Sequence, residues 1–123
     1  MSFDWSQYLN LAYKLAGTPH NPANEAELRS AISRAYYAAF IKARNFLRDV
    51  DNLTIPRRDG HKYVINHFEN NSDKRRREIG NNLHRLRDFR NDADYADTVL
   101  ILAYTTQRSL TFSTRIISTL STL

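Results

Sequence analysis

The placement of helix-breaking residues constrains this chain more than any other feature. All three prolines and two of the three glycines fall in two short stretches, Gly17 to Pro22 and Pro56 to Gly60. Proline removes a backbone donor and clashes with the preceding turn, and glycine commonly ends a helix, so the long segments outside these stretches are free to be helical. No segment alternates polar and apolar residues as a half-buried strand does. The expectation is an all-α chain, a four- to five-helix up-and-down bundle forming a single domain over residues 1–123.

Helical spacing then places the elements. A first helix is predicted from Asp4 to Ala16, with Trp5, Tyr8, Leu9, Ala12 and Leu15 at steps of three and four and Gly17 as its stop. A second begins after Asn24, whose side chain is expected to cap while Glu27 completes a capping box, and continues to Val50. Its core stripe is Leu28, Ile32, Ala35, Ala39, Ala43, Phe46 and Val50. Tyr37, Ala38 and Ile41 fall well away from that stripe, so this helix is either central in the domain or part of a second protein surface, the latter hinting at a dimer. A short helix from His61 to Glu69 follows, with Val64, Ile65 and Phe68 inward. Ser72 or Asp73 starts the next, whose apolar seam is Ile79, Leu83, Leu86, Phe89 or Arg90, and Ala93. The last helix is expected from Thr98 to Ser121, with Val99, Ala103, Leu110 and Ile117 on its inner side and Leu102 and Leu120 adjacent, although its many Ser, Thr and β-branched residues oppose helix formation.

Composition excludes several classes of function. With no cysteine there is no disulfide framework, thiolate nucleophile or Cys-containing zinc site, which suits a reducing, cytoplasmic setting. The longest apolar stretch, Val99 to Tyr104, is far short of the roughly 20 residues of a membrane span, and the acidic start lacks a signal peptide's basic region. Three scattered glycines cannot build a phosphate-cradling loop, so a bound nucleotide would be held by side chains. His61 and His67 are six apart, about 120° out of helical phase, and no HExxH occurs; no metal and no cofactor are expected.

The net charge of +5 is local. Residues 57–90 carry ten Lys or Arg against five acids, while the rest of the chain cancels. Such a footprint attracts phosphate, or else simply solvates a helix face. Within it, Arg87, Arg90 and Asp94 are three and four apart, and Asn91 and Tyr95 follow one position on. Two converging guanidinium groups suit a phosphodiester; the plainer alternative is a surface laced by pairs such as Arg90 with Asp94. Arg34 has a similar pair of readings, as a phosphate contact or as a partner of Asp94 or Asp92.

The segments Arg29-Ser-Ala-Ile-Ser-Arg-Ala-Tyr-Tyr-Ala-Ala-Phe40 and Leu86-Arg-Asp-Phe-Arg-Asn-Asp-Ala-Asp-Tyr95, in this order, resemble the paired signatures of small stand-alone HEPN (higher eukaryotes and prokaryotes nucleotide-binding) domains, with the resemblance spanning residues 24–117. It implies a HEPN-like helical bundle that forms a homodimer through part of the second helix and the last, with a polar cleft at the interface. It implies RNA or a nucleotide as ligand, and a minimal nucleotidyltransferase as a partner in toxin–antitoxin or defence modules. Active members resemble one another in metal-independent RNA cleavage, using an Arg followed after four to six residues by His. Here those positions hold Tyr95, Ala96 and Asp97 counted from Arg90, and Asp92, Ala93 and Asp94 counted from Arg87. Arg77 and His84 fit the bare spacing but lie upstream of the signature.

The resulting expectation is an RNA- or nucleotide-binding domain lacking the usual catalytic histidine. Its binding residues are Arg34, Arg87, Arg90, Asn91 and His61, and Arg90, Asp94 and Tyr95 are the candidates for any catalysis. The alternatives are an active endoribonuclease in which Asp94, His61 or His84 moves the proton, and an interaction or scaffolding domain. For Tyr95 the plainer reading is an interfacial aromatic, for Tyr36 and Tyr37 packing, and for His61 an exposed residue in the first turn of a helix.

Overall fold

The computed structural model describes residues 2–123 as an all-α bundle. Five helices follow in order: α1 (Ser6–Leu15), α2 (Glu25–Asp49), α3 (Gly60–Glu69), α4 (Lys74–Tyr95) and α5 (Leu102–Leu120). Between α1 and α2 the proline-rich turn makes one small addition to the expected pattern. Gly17–Thr18 (β1) and Asn21–Pro22 (β2) pair antiparallel, with Gly17 at φ 76°, a conformation that costs glycine little.

The caps are those the side chains dictate. Asn24 Oδ1 accepts from Glu27 N at 2.8 Å and Glu27 Oε1 accepts from Asn24 N at 3.0 Å, completing the capping box of α2. Asp73 caps α4 through Arg75 N at 2.8 Å. Arg76 then clamps Asp51 with two hydrogen bonds, fastening the α2–α3 connection to α4.

Helix α2 is central, which decides between its two readings. Tyr36, Ala39, Phe40, Ala43 and Leu47 pack with Val64 and Phe68 of α3, Ile79, Leu83 and Leu86 of α4, and Phe112 and Ile116 of α5. On its other side Ala31, Ala35 and Ala38 pack with Leu9 and Ala12 of α1 and Leu110 of α5. Ala38 and Ile41, which hinted at a dimer surface, are buried within the chain itself. Val50, expected at the end of the core stripe, lies beyond the helix and is exposed.

Helix α5 differs from its sequence reading in start and face. It begins at Leu102 rather than Thr98, and Ala103 is exposed. The inner face is instead Thr106, Ser109, Leu110, Phe112, Ser113, Ile116 and Leu120. The small hydroxyl residues let α2 and α5 approach closely, and each hydroxyl is satisfied. Thr106 and Ser109 donate to the carbonyls of Leu102 and Thr105, and Ser113 donates across to Ala35 O at 2.7 Å. Just ahead of α5, Ile101 adopts φ 48°, an unusual state for a β-branched residue, and Leu100 and Ile101 are 79% and 71% exposed. Among the described residues no helix is long and apolar enough to cross a membrane.

Candidate functional site

The site forms where the middle of α2 meets the C-terminal half of α4 and the first turn of α3. Helical spacing puts Ser33, Tyr36, Tyr37 and Phe40 toward these neighbours, and Arg90 is the hub on α4. Its Nε donates to Asp94 Oδ2 at 2.9 Å, one Nη to Asn91 Oδ1 at 3.0 Å and the other to the Tyr37 hydroxyl at 2.6 Å. The guanidinium carbon also lies 5.1 Å from the centre of the Tyr37 ring and 5.8 Å from those of Tyr36 and Tyr95. Asp94 has a second neighbour in the Ser33 hydroxyl, at 3.4 Å. The predicted pairing of Arg90 with Asp94 is present, partly buried, and tied to α2 through Tyr37 and Ser33.

His61 lies beside this hub rather than in the open turn where an exposed histidine was expected. Its ring stacks on Phe40 at 4.1 Å with a 5° tilt, and Nδ1 is 2.5 Å from the hydroxyl of the fully buried Tyr36. Burial, followed by the charges of Arg87, Arg90 and Arg44, pulls the imidazole down to about 4, so it is neutral near pH 7. Burial also pushes the Tyr36 hydroxyl well above the usual phenol range, with Arg87 and Arg90 opposing it.

The hydrogen-bond inventory assigns the tautomer. Tyr36 keeps its proton, and His61 Nδ1 is the acceptor within reach, so the hydroxyl donates to Nδ1; the reverse assignment would leave a buried O–H unmatched. A neutral imidazole that accepts at Nδ1 carries its proton on Nε2. His61 therefore offers a ligand an N–H donor.

Arg87, one turn before Arg90, is the guanidinium left with capacity to spare. Its Nε is buried with no acceptor among the described residues. It lines a cleft of about 240 Å³ with Lys62, Asn66, His84, Asp88 and Asn91, while His61 lines a neighbouring one of about 300 Å³ with Arg44 and Arg57. Four cationic side chains, Lys62, Arg87, Arg44 and Arg57, thus line the two clefts, with Asp88 as the one acid lining either. Among the described residues, no three His, Asp or Glu side chains are grouped to hold a metal ion.

Of the residues singled out from sequence, Arg87, Arg90, Asn91, Asp94 and His61 form this cluster. Tyr95 is at its rim, 75% exposed rather than packed within the chain. Arg34 sits apart from Asp92 and Asp94: its guanidinium lies over the rings of Tyr8 at 4.8 Å and Tyr37 at 5.5 Å, so neither an ion pair with α4 nor a place in the clefts describes it. Arg77 binds the carbonyls of Asn71 and Ser72, and His84 pairs with Glu69 at 2.8 Å; the two have separate partners. Sequence reading missed Arg44 and the hydroxyls of Ser33 and Tyr36. It also missed Arg29, which donates to the carbonyls of Ala93, Ala96 and Asp97 and so binds the end of α4 to α2. Adjacent tyrosines in a helix facing an Arg-rich one were the available signal for Tyr36.

A scan against protein-family models and searches of curated proteins and of solved structures each returned no match.

Proposed function

We propose that this protein binds RNA or a nucleotide through phosphate at the two clefts flanking α3, one against α4 and one against α2, as a HEPN-like module without nuclease activity. The observation that carries the reading is the Arg87 guanidinium, whose buried Nε lacks an acceptor among the described residues; nearby His61, uncharged near pH 7, has Nε2–H to offer when Tyr36 donates to its Nδ1. Both groups donate, as does Arg44, and a phosphate oxygen accepts from all such groups. Metal-independent cleavage needs in addition a base for the 2′-hydroxyl proton. Asp94 is engaged by Arg90 and Ser33, and the tautomer of His61 places its remaining lone pair against Tyr36, so the cluster favours binding over proton abstraction.

Titration of fluorescent single-stranded RNA with wild type and Arg87→Gln tests this. The variant is expected to bind about tenfold more weakly and to lose about 0.7 of the log–log salt slope, as one phosphate contact on a single strand requires. Equal affinity and slope in the two proteins would sink the proposal. Cleavage in EDTA that His61→Ala abolishes would replace it by the endoribonuclease reading, for which the placement of His61 beside Arg87 and Arg90 speaks.

The reading extends to a homodimer, expected from the sequence through part of α2 and the last helix, for which the start of α5 offers exposed apolar surface. In and beside the α4–α5 connection Tyr95, Leu100, Ile101 and Tyr104 are exposed, Tyr95 against the Arg90 guanidinium, apolar surface that a second copy would cover. The toxin–antitoxin or defence setting and a nucleotidyltransferase partner rest on the sequence resemblance alone.

A further inference from the structure

A second groove lies on the opposite side of α4, between its N-terminal half and the C-terminal half of α5. It encloses about 570 Å³, more than either cleft of the site above and within the range of small-ligand pockets. Its floor is Ile79 and Ile116, both in the core, so its position is set by the packing of the two helices. The rim is polar: Asn81, Asn82 and Arg85 from α4, and Arg115, Ser118 and Thr119 from α5.

Three observations indicate what would fit there. First, the ion pairs among the described residues leave out Arg85 and Arg115. Glu78 is the one acid in the lining, so the groove has a cationic surplus. Second, Arg85 shares the Phe112 ring with Arg108, their guanidinium carbons lying 5.7 and 4.7 Å from its centre. Arg108 likewise takes part in none of those ion pairs, so like charges are gathered on one aromatic platform, an arrangement an anion relieves. Third, no hydrogen bond among the described residues uses the side chains of Asn81, Asn82, Ser118 or Thr119; the Ser118 and Thr119 atoms engaged by Ser121 and Thr122 are backbone carbonyls. Carboxamides and hydroxyls donate and accept, which suits the ribose and base of a nucleotide better than it suits a bare carboxylate.

We infer that the α4–α5 groove is a nucleotide-binding site, in which Arg85 and Arg115 hold the phosphate and the asparagine and hydroxyl side chains hold the sugar and base. It is independent of the Arg87 cleft, from which α4 separates it. The nucleotide is either free or one unit of an RNA strand, since the recognised chemistry is the same.

The test is a titration of the isotope-labelled full chain with adenosine 5′-monophosphate and, separately, with a five-residue oligouridylate, followed by backbone and side-chain amide NMR. Binding at the groove is expected to shift Asn81, Asn82, Ser118 and Thr119. The double variant Arg85→Gln/Arg115→Gln is expected to weaken that binding at least tenfold while keeping the wild-type melting temperature, whereas Arg87→Gln leaves it unchanged. Shifts with the monophosphate identify a free nucleotide, and shifts with the oligomer alone identify a strand. Three results would each overturn the inference: no shifts at these four residues with either probe, shifts that persist undiminished in the double variant, or equal shifts with a polyglutamate peptide. Loss of RNA affinity in Arg87→Gln belongs to the other cleft, so each site fails or stands on its own variant.

Discussion

His61 and Tyr36 show how much a single contact changes the chemistry of two ordinary residues. In isolation the imidazole titrates near 6.5, whereas here it is held at about 4 by burial and three arginines. Between those values the unfolded chain carries a proton that the folded one refuses, so stability is full above the unfolded value and falls as pH drops toward the folded one. Because the ring is only half-buried, the shift is discounted for solvent screening to about 1 kcal/mol, or about 4 °C of melting temperature. Thermal melts from pH 7.5 to 4.5 are expected to show this decline, and His61→Gln to flatten it; an identical slope in the variant would mean that carboxylates carry the whole effect. The tautomer has its own check. Nitrogen chemical shifts of wild type are expected to place the His61 proton on Nε2, and a proton on Nδ1 would return the ring to the role of base.

At the scale of elements, close approach and helix ends dominate. Gly80 lies where α4 crosses the end of α3, and a Cβ there would overlap the backbone of Glu69, coming within 2.8 Å of its Cα. Gly80→Ala gains up to about 1 kcal/mol of helix propensity but forces the crossing apart, an overpacking cost of about 1–3 kcal/mol. Net destabilisation is therefore expected in urea unfolding, and a raised midpoint would show that the crossing yields easily. Arg29 acts on an end rather than a crossing. It supplies donors to three carbonyls at the end of α4, where the last turn lacks partners and the helix dipole is negative. Arg29→Ala is expected to cost about 1–3 kcal/mol and to raise hydrogen exchange at the end of α4 first. Loss of stability without that local exchange would place its contribution elsewhere. Lys is not an equivalent replacement, because one ammonium cannot reproduce the planar fork.

For the whole molecule, the arrangement of helices leaves its most exposed large apolar side chains, Leu100, Tyr95 and Ile101, at or beside the α4–α5 connection among the described residues. A β-branched residue in the left-handed region costs about 1–3 kcal/mol, and Ile101 meets that cost while largely exposed. Asparagine tolerates the same conformation and lacks the apolar surface. Ile101→Asn is thus expected to elute with the mass of one 14.4 kDa chain where wild type elutes as two, and the monomer is expected to gain stability. A wild-type protein that stays monomeric at high concentration in light scattering would remove the dimer from the proposed function.

The amino-acid sequence by itself determined the helices, because their signals are local. Breakers at residues 17–22 and 56–60, the Asn24–Glu27 box and the three- and four-residue spacing of Ile79, Leu83, Leu86 and Ala93 all act within a few turns of chain. The Arg90–Asp94 pair was legible for the same reason, being one turn apart. Only the tertiary structure decided which face of α5 turns inward, because Thr106, Ser109 and Ser113 are buried at little cost once their hydroxyls find carbonyls, one of them on another helix. It likewise decided that His61 is neutral and Nε2-protonated, since Tyr36, Arg87 and Arg90 lie 25 to 29 residues away along the chain and reach the imidazole through packing alone. Local periodicity says which residues can share a helix face; burial, and with it protonation and charge, belongs to whatever that face comes to rest against.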